Sequence, residues 1–242
     1  KVDSLQKRYF FKLGASLICL PINIITMAVV PRALGPVAYG NFTFLTQFFT
    51  KIAGFLDSGT SIGFYTKLSK RLNEEGLVKF YWFFVLSMSL VVVIALPIVI
   101  LLNKQDLLWP DQNIKFIWMA IFFSLSNWCS QIVIKIIDAY GCTSKGEIIR
   151  VIQRICGLVL ILILFFIDNL NLTTFFYYNY FCIFIFIIGC SYILKINGIS
   201  LFPKIKLNFF QVNNYIKEFW NYSHPLITSS FIILLAGVFD LW

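Results

Sequence analysis

The sequence predicts an all-α, multi-pass membrane protein. Apolar residues make up 59% of the 242 residues and charged residues only 13%, against about a quarter charged in a soluble domain. The apolar residues are concentrated in runs of membrane length, and no alternating segments of about ten residues suggest a β-barrel. The 27 Phe suit a lipid-facing surface.

Seven helices follow in order. The first covers about 10–30, the second 41–66, the third 80–102 and the fourth 115–138. The fifth covers 147–167, the sixth 175–195, and the seventh begins near 219–222. Four contain uncharged runs: Leu13–Val30, Phe80–Leu102, Phe116–Ile134 and Phe175–Leu194. Eighteen residues at about 1.5 Å each reach about 27 Å, enough for the hydrocarbon core. The fifth is weaker, since only Ile155–Ile167 is uncharged, so it spans only with Arg150 and Arg154 at one end. Between the first two helices, the ten residues Pro31–Gly40 read as a hairpin loop: Pro31 ends a helix, Gly35-Pro36 marks a turn and Gly40 opens the next element.

Fourteen Lys and Arg fall in the N-terminus and the even-numbered connections, and three (Arg32, Lys104, Lys115) in the others. The positive-inside rule therefore places the N-terminus in the cytoplasm and the Pro31–Gly40 loop outside. The same distribution explains the net charge of +9 without a nucleic-acid partner. The six Cys show no Cys-x-x-Cys spacing and read as reduced, apolar packing residues. The last apolar run continues to Trp242, so the chain reads as the N-terminal part of a longer protein, with no cleavable signal peptide.

Charges inside spans are costly and face protein or water. Lys51 lies nine residues past Phe42, about 14 Å into the bilayer. It is expected to face a polar cavity as an unpaired, hydrated ammonium. Asp57 lies on a different face of the same helix and looks to another helix or the same cavity. Lys135 and Asp138 are spaced for a local ion pair, and Arg150 and Arg154 share a face, with Asp138 the expected partner of Arg154. His224 stands without Cys or His company, so no metal site is expected. Nor is there a nucleophile–base set, a phosphate-binding glycine loop or a carboxylate pair, so an enzyme is not expected.

The stretch Arg32-Ala33-Leu34-Gly35-Pro36-Val37-Ala38-Tyr39-Gly40 resembles the loop after the first helix of polysaccharide and oligosaccharide-lipid flippases. These are the O-antigen-type translocases of the MATE/MOP transporter superfamily, with a Leu-Gly…Tyr-Gly pattern at that place. Asp57-Ser58-Gly59 followed by Tyr65–Arg71 is similar to the end of their second helix. Asp138-Ala139-Tyr140-Gly141…Glu147, Pro225-Leu226 and Asp240 resemble later features more loosely. The resemblance implies an N-terminal six-helix lobe (1–195), a cytoplasmic linker (196–221) and the first helix of a second lobe (222–242). It implies a flippase of the bacterial cytoplasmic (inner) membrane, working by alternating access without a cofactor and driven by an ion gradient. The cargo would be a polyprenyl-pyrophosphate-linked oligosaccharide such as an undecaprenyl-pyrophosphate repeat unit for O-antigen or other lipopolysaccharide biosynthesis. The partners would be membrane lipid, a glycan polymerase and chain-length proteins.

Under that reading Lys51, Arg154 and Lys135 are substrate-binding candidates, and Asp57, Asp138 and Asp240 are candidates for ion coupling or pairing. Arg32, Leu34, Gly35, Tyr39 and Gly40 form the family-motif loop. Alternatives are another exporter of the superfamily, handling lipid II or drugs and cations, and a membrane glycan polymerase or glycosyltransferase. The short outer loops speak against the last two.

Overall fold

A computed structural model describes residues 3–205 and 207–239, the last two by backbone only. Asp240, one of the coupling candidates, lies outside the described residues. Within them the chain is helical and contains no strand: α1 (Leu5–Leu34), α2 (Pro36–Asp57), α3 (Thr60–Lys70), α4 (Glu75–Leu101), α5 (Gln105–Leu108), α6 (Ile114–Ala139), α7 (Thr143–Phe166), α8 (Leu172–Ile196) and α9 (Phe209–Phe239). Five of these, α1, α4, α6, α7 and α8, are long and apolar enough to cross a membrane. The fifth expected span is among them, as α7, with Arg150 and Arg154 toward its start.

The expected ten-residue loop is one glycine. α1 passes through Pro31 to Leu34, and α2 starts at Pro36. A proline within a helix loses its own hydrogen bond and crowds the carbonyl four residues back, and membrane helices tolerate this. Gly35 makes the corner at φ 79°, a conformation open to glycine, and its N–H donates to the Pro31 carbonyl at 3.0 Å. Pro36 then supplies a preset φ at the first position of α2. Leu34 and Tyr39 pack with Val30, Ile161, Leu170 and Phe175, while Arg32 and Gly40 are exposed. The motif residues thus build a tight helical corner.

The second expected helix is broken. Ser58 (φ 36°) and Gly59 (φ 77°) are both left-handed and separate α2 from α3. The last expected helix begins earlier than 219–222, at Phe209. Its first half buries Tyr215, Phe219 and Ser223 against α3 and α4, a stripe at spacings of four. Glu218 accepts from Lys67 at 2.8 Å and from Arg71 at 3.3 Å. Further along, Phe231, Ile232, Ile233 and Leu235 are exposed.

α1 packs on α7, α7 on α8, α8 on α6, α6 on α2 and α2 on α1, a cyclic arrangement of five helices. α3, α4 and α9 pack outside α2 and α6 around the largest core cluster, where Phe64 stacks on Tyr81 at 4.2 Å. One end of the bundle gathers four segments expected on one side of the membrane. There the Asp3 amide donates to the Gly141 carbonyl (3.1 Å), Tyr140 donates to the Leu72 carbonyl (3.1 Å), and Lys145 donates to Asn197 (3.3 Å). Val37 and Asn73 are exposed at opposite ends. If the N-terminal end is cytoplasmic, a Cys at Val37 should react with an impermeant thiol reagent on intact cells and one at Asn73 should not. The reverse pattern would invert the orientation.

The N-terminal segment is clasped onto the α6–α7 turn. Asp3 accepts from Lys7 (2.8 Å), from the Ser144 amide (3.2 Å) and from the Ser144 hydroxyl. Arg8 donates to the Asp138 carbonyl, and Lys12 pairs with the Asp138 carboxylate at 2.8 Å. Burial raises the Asp3 carboxyl, but donation from Lys7 and Ser144 outweighs it and holds the group at about 2, from 3.8. A carboxyl depressed in the folded state stabilises it fully above the unfolded value, and the contribution is lost as pH falls through the folded one. The protection of the Ser144 amide relative to its intrinsic exchange rate at each pH should therefore hold to about pH 4 and fall toward pH 2. Asp3→Asn should show low protection throughout; equal protection in both proteins would show that the clasp does not rest on this carboxylate.

Candidate functional site

The site grows from α6. Ser124, Asn127, Gln131 and Lys135 follow at spacings of three and four, so they form one polar stripe on an otherwise apolar span. α2 faces it with Thr50, Gly54 and Asp57 at the same spacings. α7 contributes Arg150, Gln153 and Arg154, again on one face, and α8 contributes Tyr178 and Asn179. Two cavities result. One, of about 330 Å³, opens among α6, α7 and α8 and is lined by Asn127, Gln131, Arg150, Gln153, Arg154 and Asn179 among others. The other, of about 340 Å³, lies between α2, α3 and α6 and includes Thr50, Asp57, Ser124 and Lys135. Asn127 and Gln131 line both, so the cavities adjoin along the α6 stripe.

The two differ electrostatically. In the first, Arg150 pairs with Glu147 at 2.5 Å. Arg154 is exposed and, among the described residues, has no carboxylate within ion-pair distance. Asp138, its expected partner, is engaged instead by Lys12 and by the Thr143 hydroxyl at 2.8 Å. The N-terminal segment reaches that carboxylate, a contact that hairpin spacing alone does not reveal. An Arg without a carboxylate, surrounded by neutral amides, can donate several hydrogen bonds to a bound anion.

The second cavity holds one carboxylate and one ammonium. Lys135 lies over the Tyr65 ring, 5.8 Å from its centroid, and forms no ion pair with Asp138. Asp57 accepts from the Ser61 hydroxyl (2.8 Å), the Ser61 amide (3.2 Å), Thr60 (3.2 Å), Tyr81 (3.1 Å) and the Trp128 indole (3.4 Å). These donors come from three helices, and the Ser61 amide is a backbone N–H of the first turn of α3. Four of the five bonds fall on Oδ1 and one on Oδ2, so Asp57 ties the α2–α3 break to α4 and α6 while lining the second cavity.

Lys51 stands apart from both cavities. Its ammonium donates to the Gly237 carbonyl of α9. Where a hydrated, unpaired lysine is expected, the structure has a helix-to-helix contact, as α9 packs along α2. Asn127, Gln131, Gln153 and Asn179 carry no charge and so do not stand out as buried charges; the signal is the spacing of four between Asn127 and Gln131 on α6 and the face that Gln153 shares with Arg150 and Arg154 on α7, while Asn179 on α8 has no such signal.

Comparison with protein-family models, with curated proteins and with solved structures found no match for this chain.

Proposed function

We propose that this protein is a flippase that moves a polyprenyl-pyrophosphate-linked oligosaccharide across a bacterial cytoplasmic membrane. The observation that carries the reading is Arg154, a cation without a carboxylate partner, in an amide-lined cavity among membrane-length helices. Such a cargo has a diphosphate that hydrocarbon cannot solvate and a sugar rich in hydroxyls. A guanidinium matches phosphate oxygens bidentately, and amides match hydroxyls as both donors and acceptors. Alternating access lets this polar surface open to each side in turn while the polyprenyl tail stays in lipid. Lys135, in the adjoining cavity, would extend the cationic surface along α6. The Leu-Gly…Tyr-Gly corner at Leu34–Gly40 supports the polysaccharide branch over drug exporters of the same superfamily.

The test is reconstitution. Proteoliposomes loaded on the inner leaflet with a polyprenyl-pyrophosphate oligosaccharide should expose it to an external, impermeant glycan-modifying enzyme when the protein is present. Exposure no faster than in protein-free liposomes, over several glycans and under imposed ion gradients, would refute the proposal.

A further inference from the structure

The connection 197–208 and the first turns of α9 form a strap across the start of α4. Leu201 and Pro203 are buried, Phe202 packs on Trp82 with ring centroids 4.9 Å apart, and Lys79 donates to the Ile205 carbonyl. Tyr215 closes the other side by donating to Glu74 at 2.6 Å. The strap is therefore pinned beside the point where a membrane-length helix begins.

Its outward surface is unusual. Phe202, Phe209, Phe210 and Trp220 are 60%, 88%, 74% and 57% exposed. Lys195, Lys204 and Lys217 are exposed too, and none has a carboxylate partner among the described residues. The sequence places no Asp or Glu between Lys195 and Lys217 and one more cation, Lys206. On α9, Phe209, Ile216 and Trp220 follow at seven and four residues, a stripe flanking the buried Tyr215, Phe219 and Ser223. This half of α9 thus has one apolar face on the protein and a second one outward. Aromatic rings settle at the headgroup–acyl boundary, and lysines beside them meet lipid phosphates.

We propose that residues 195–220 form an interfacial anchor that binds anionic lipid headgroups, with Phe209, Phe210 and Trp220 seated at the acyl boundary and Lys195, Lys204 and Lys217 on the phosphates. The charge complementarity favours anionic lipid over a protein partner, because this exposed surface carries aromatic rings and lysines with no Asp or Glu between Lys195 and Lys217. The proposal does not depend on what the protein transports.

The experiment is hydrogen exchange of residues 199–216 in the intact protein, in nanodiscs of phosphatidylglycerol with phosphatidylcholine and in nanodiscs of phosphatidylcholine alone. Each lysine near an anionic surface changes binding on the order of fivefold, so the anionic discs should slow exchange on the order of tenfold or more. The combined variant K195Q/K204Q/K217Q should erase that difference, as should high salt. F209S/F210S should exchange faster in both lipids. Equal exchange in the two lipids, or a difference that survives removal of the three lysines, would overturn the proposal. Protection by inorganic phosphate in pure phosphatidylcholine would overturn it as well, by making the lysines a free-anion site. The variants change only exposed side chains, and unchanged exchange in α6 and α8 will verify that the bundle is intact.

Discussion

Arg154→Ala is expected to lower glycan export about tenfold to a hundredfold in a flippase-deficient strain, with membrane insertion unchanged. The estimate follows from the role proposed for the guanidinium. A charge-assisted hydrogen bond contributes about 1.5–3 kcal/mol, and a bidentate contact to a diphosphate uses at least one of these. No internal partner is orphaned by the substitution, since Arg154 has no carboxylate among the described residues. Stability should therefore hardly change, which separates a binding role from a structural one. Arg154→Lys should keep part of the activity, because the charge remains but the planar fork is lost. Arg150→Ala should cost less export and more stability, since Arg150 is tied to Glu147. Normal export by Arg154→Ala at equal protein level would remove Arg154 from the substrate path.

Asp57→Ala is expected to destabilise the protein by about 3 kcal/mol, on the scale of one lost helix cap plus one lost hydrogen bond to a charged group. The carboxylate accepts five hydrogen bonds, including those of the buried Thr60, Tyr81 and Trp128 side chains. Without it, two consecutive left-handed residues, Ser58 and Gly59, lose what holds them. Asp57→Asn keeps one acceptor oxygen and should cost roughly half as much. Thermal unfolding in detergent measures both. If Asp57→Ala unfolds like the native protein yet loses transport, the residue serves coupling rather than the helix break.

Much of the fold can be read from hydrophobic runs, because a membrane span must be long, apolar and helical. The spans of α1, α4, α6 and α8 follow from that alone. Features set by single side chains do not. Pro31 signals a helix end in water-soluble proteins, but here the corner is made by Gly35, four residues later. Asp57 is visible as a charge, yet its ties to α4 and α6 depend on Tyr81 and Trp128, which are brought to it from distant parts of the chain. α9 starts at Phe209 because Tyr215, Phe219 and Ser223 make an amphipathic stripe, whereas the polar residues between them break any search for an uncharged run. At the candidate site, Arg154 and Lys135 stand out by charge. Lys51 stands out equally and turns out to meet a backbone carbonyl on α9. Depth in the membrane can be counted along a sequence; the neighbour a side chain meets there cannot.

The most direct measurement is titration of the purified protein with a polyprenyl pyrophosphate, beside its Arg154→Ala variant. The account predicts saturable binding that weakens at least tenfold in the variant, with Arg154→Lys between the two. Equal affinity in the native protein and Arg154→Ala would contradict it, because the cation in the amide-lined cavity would then not hold the diphosphate.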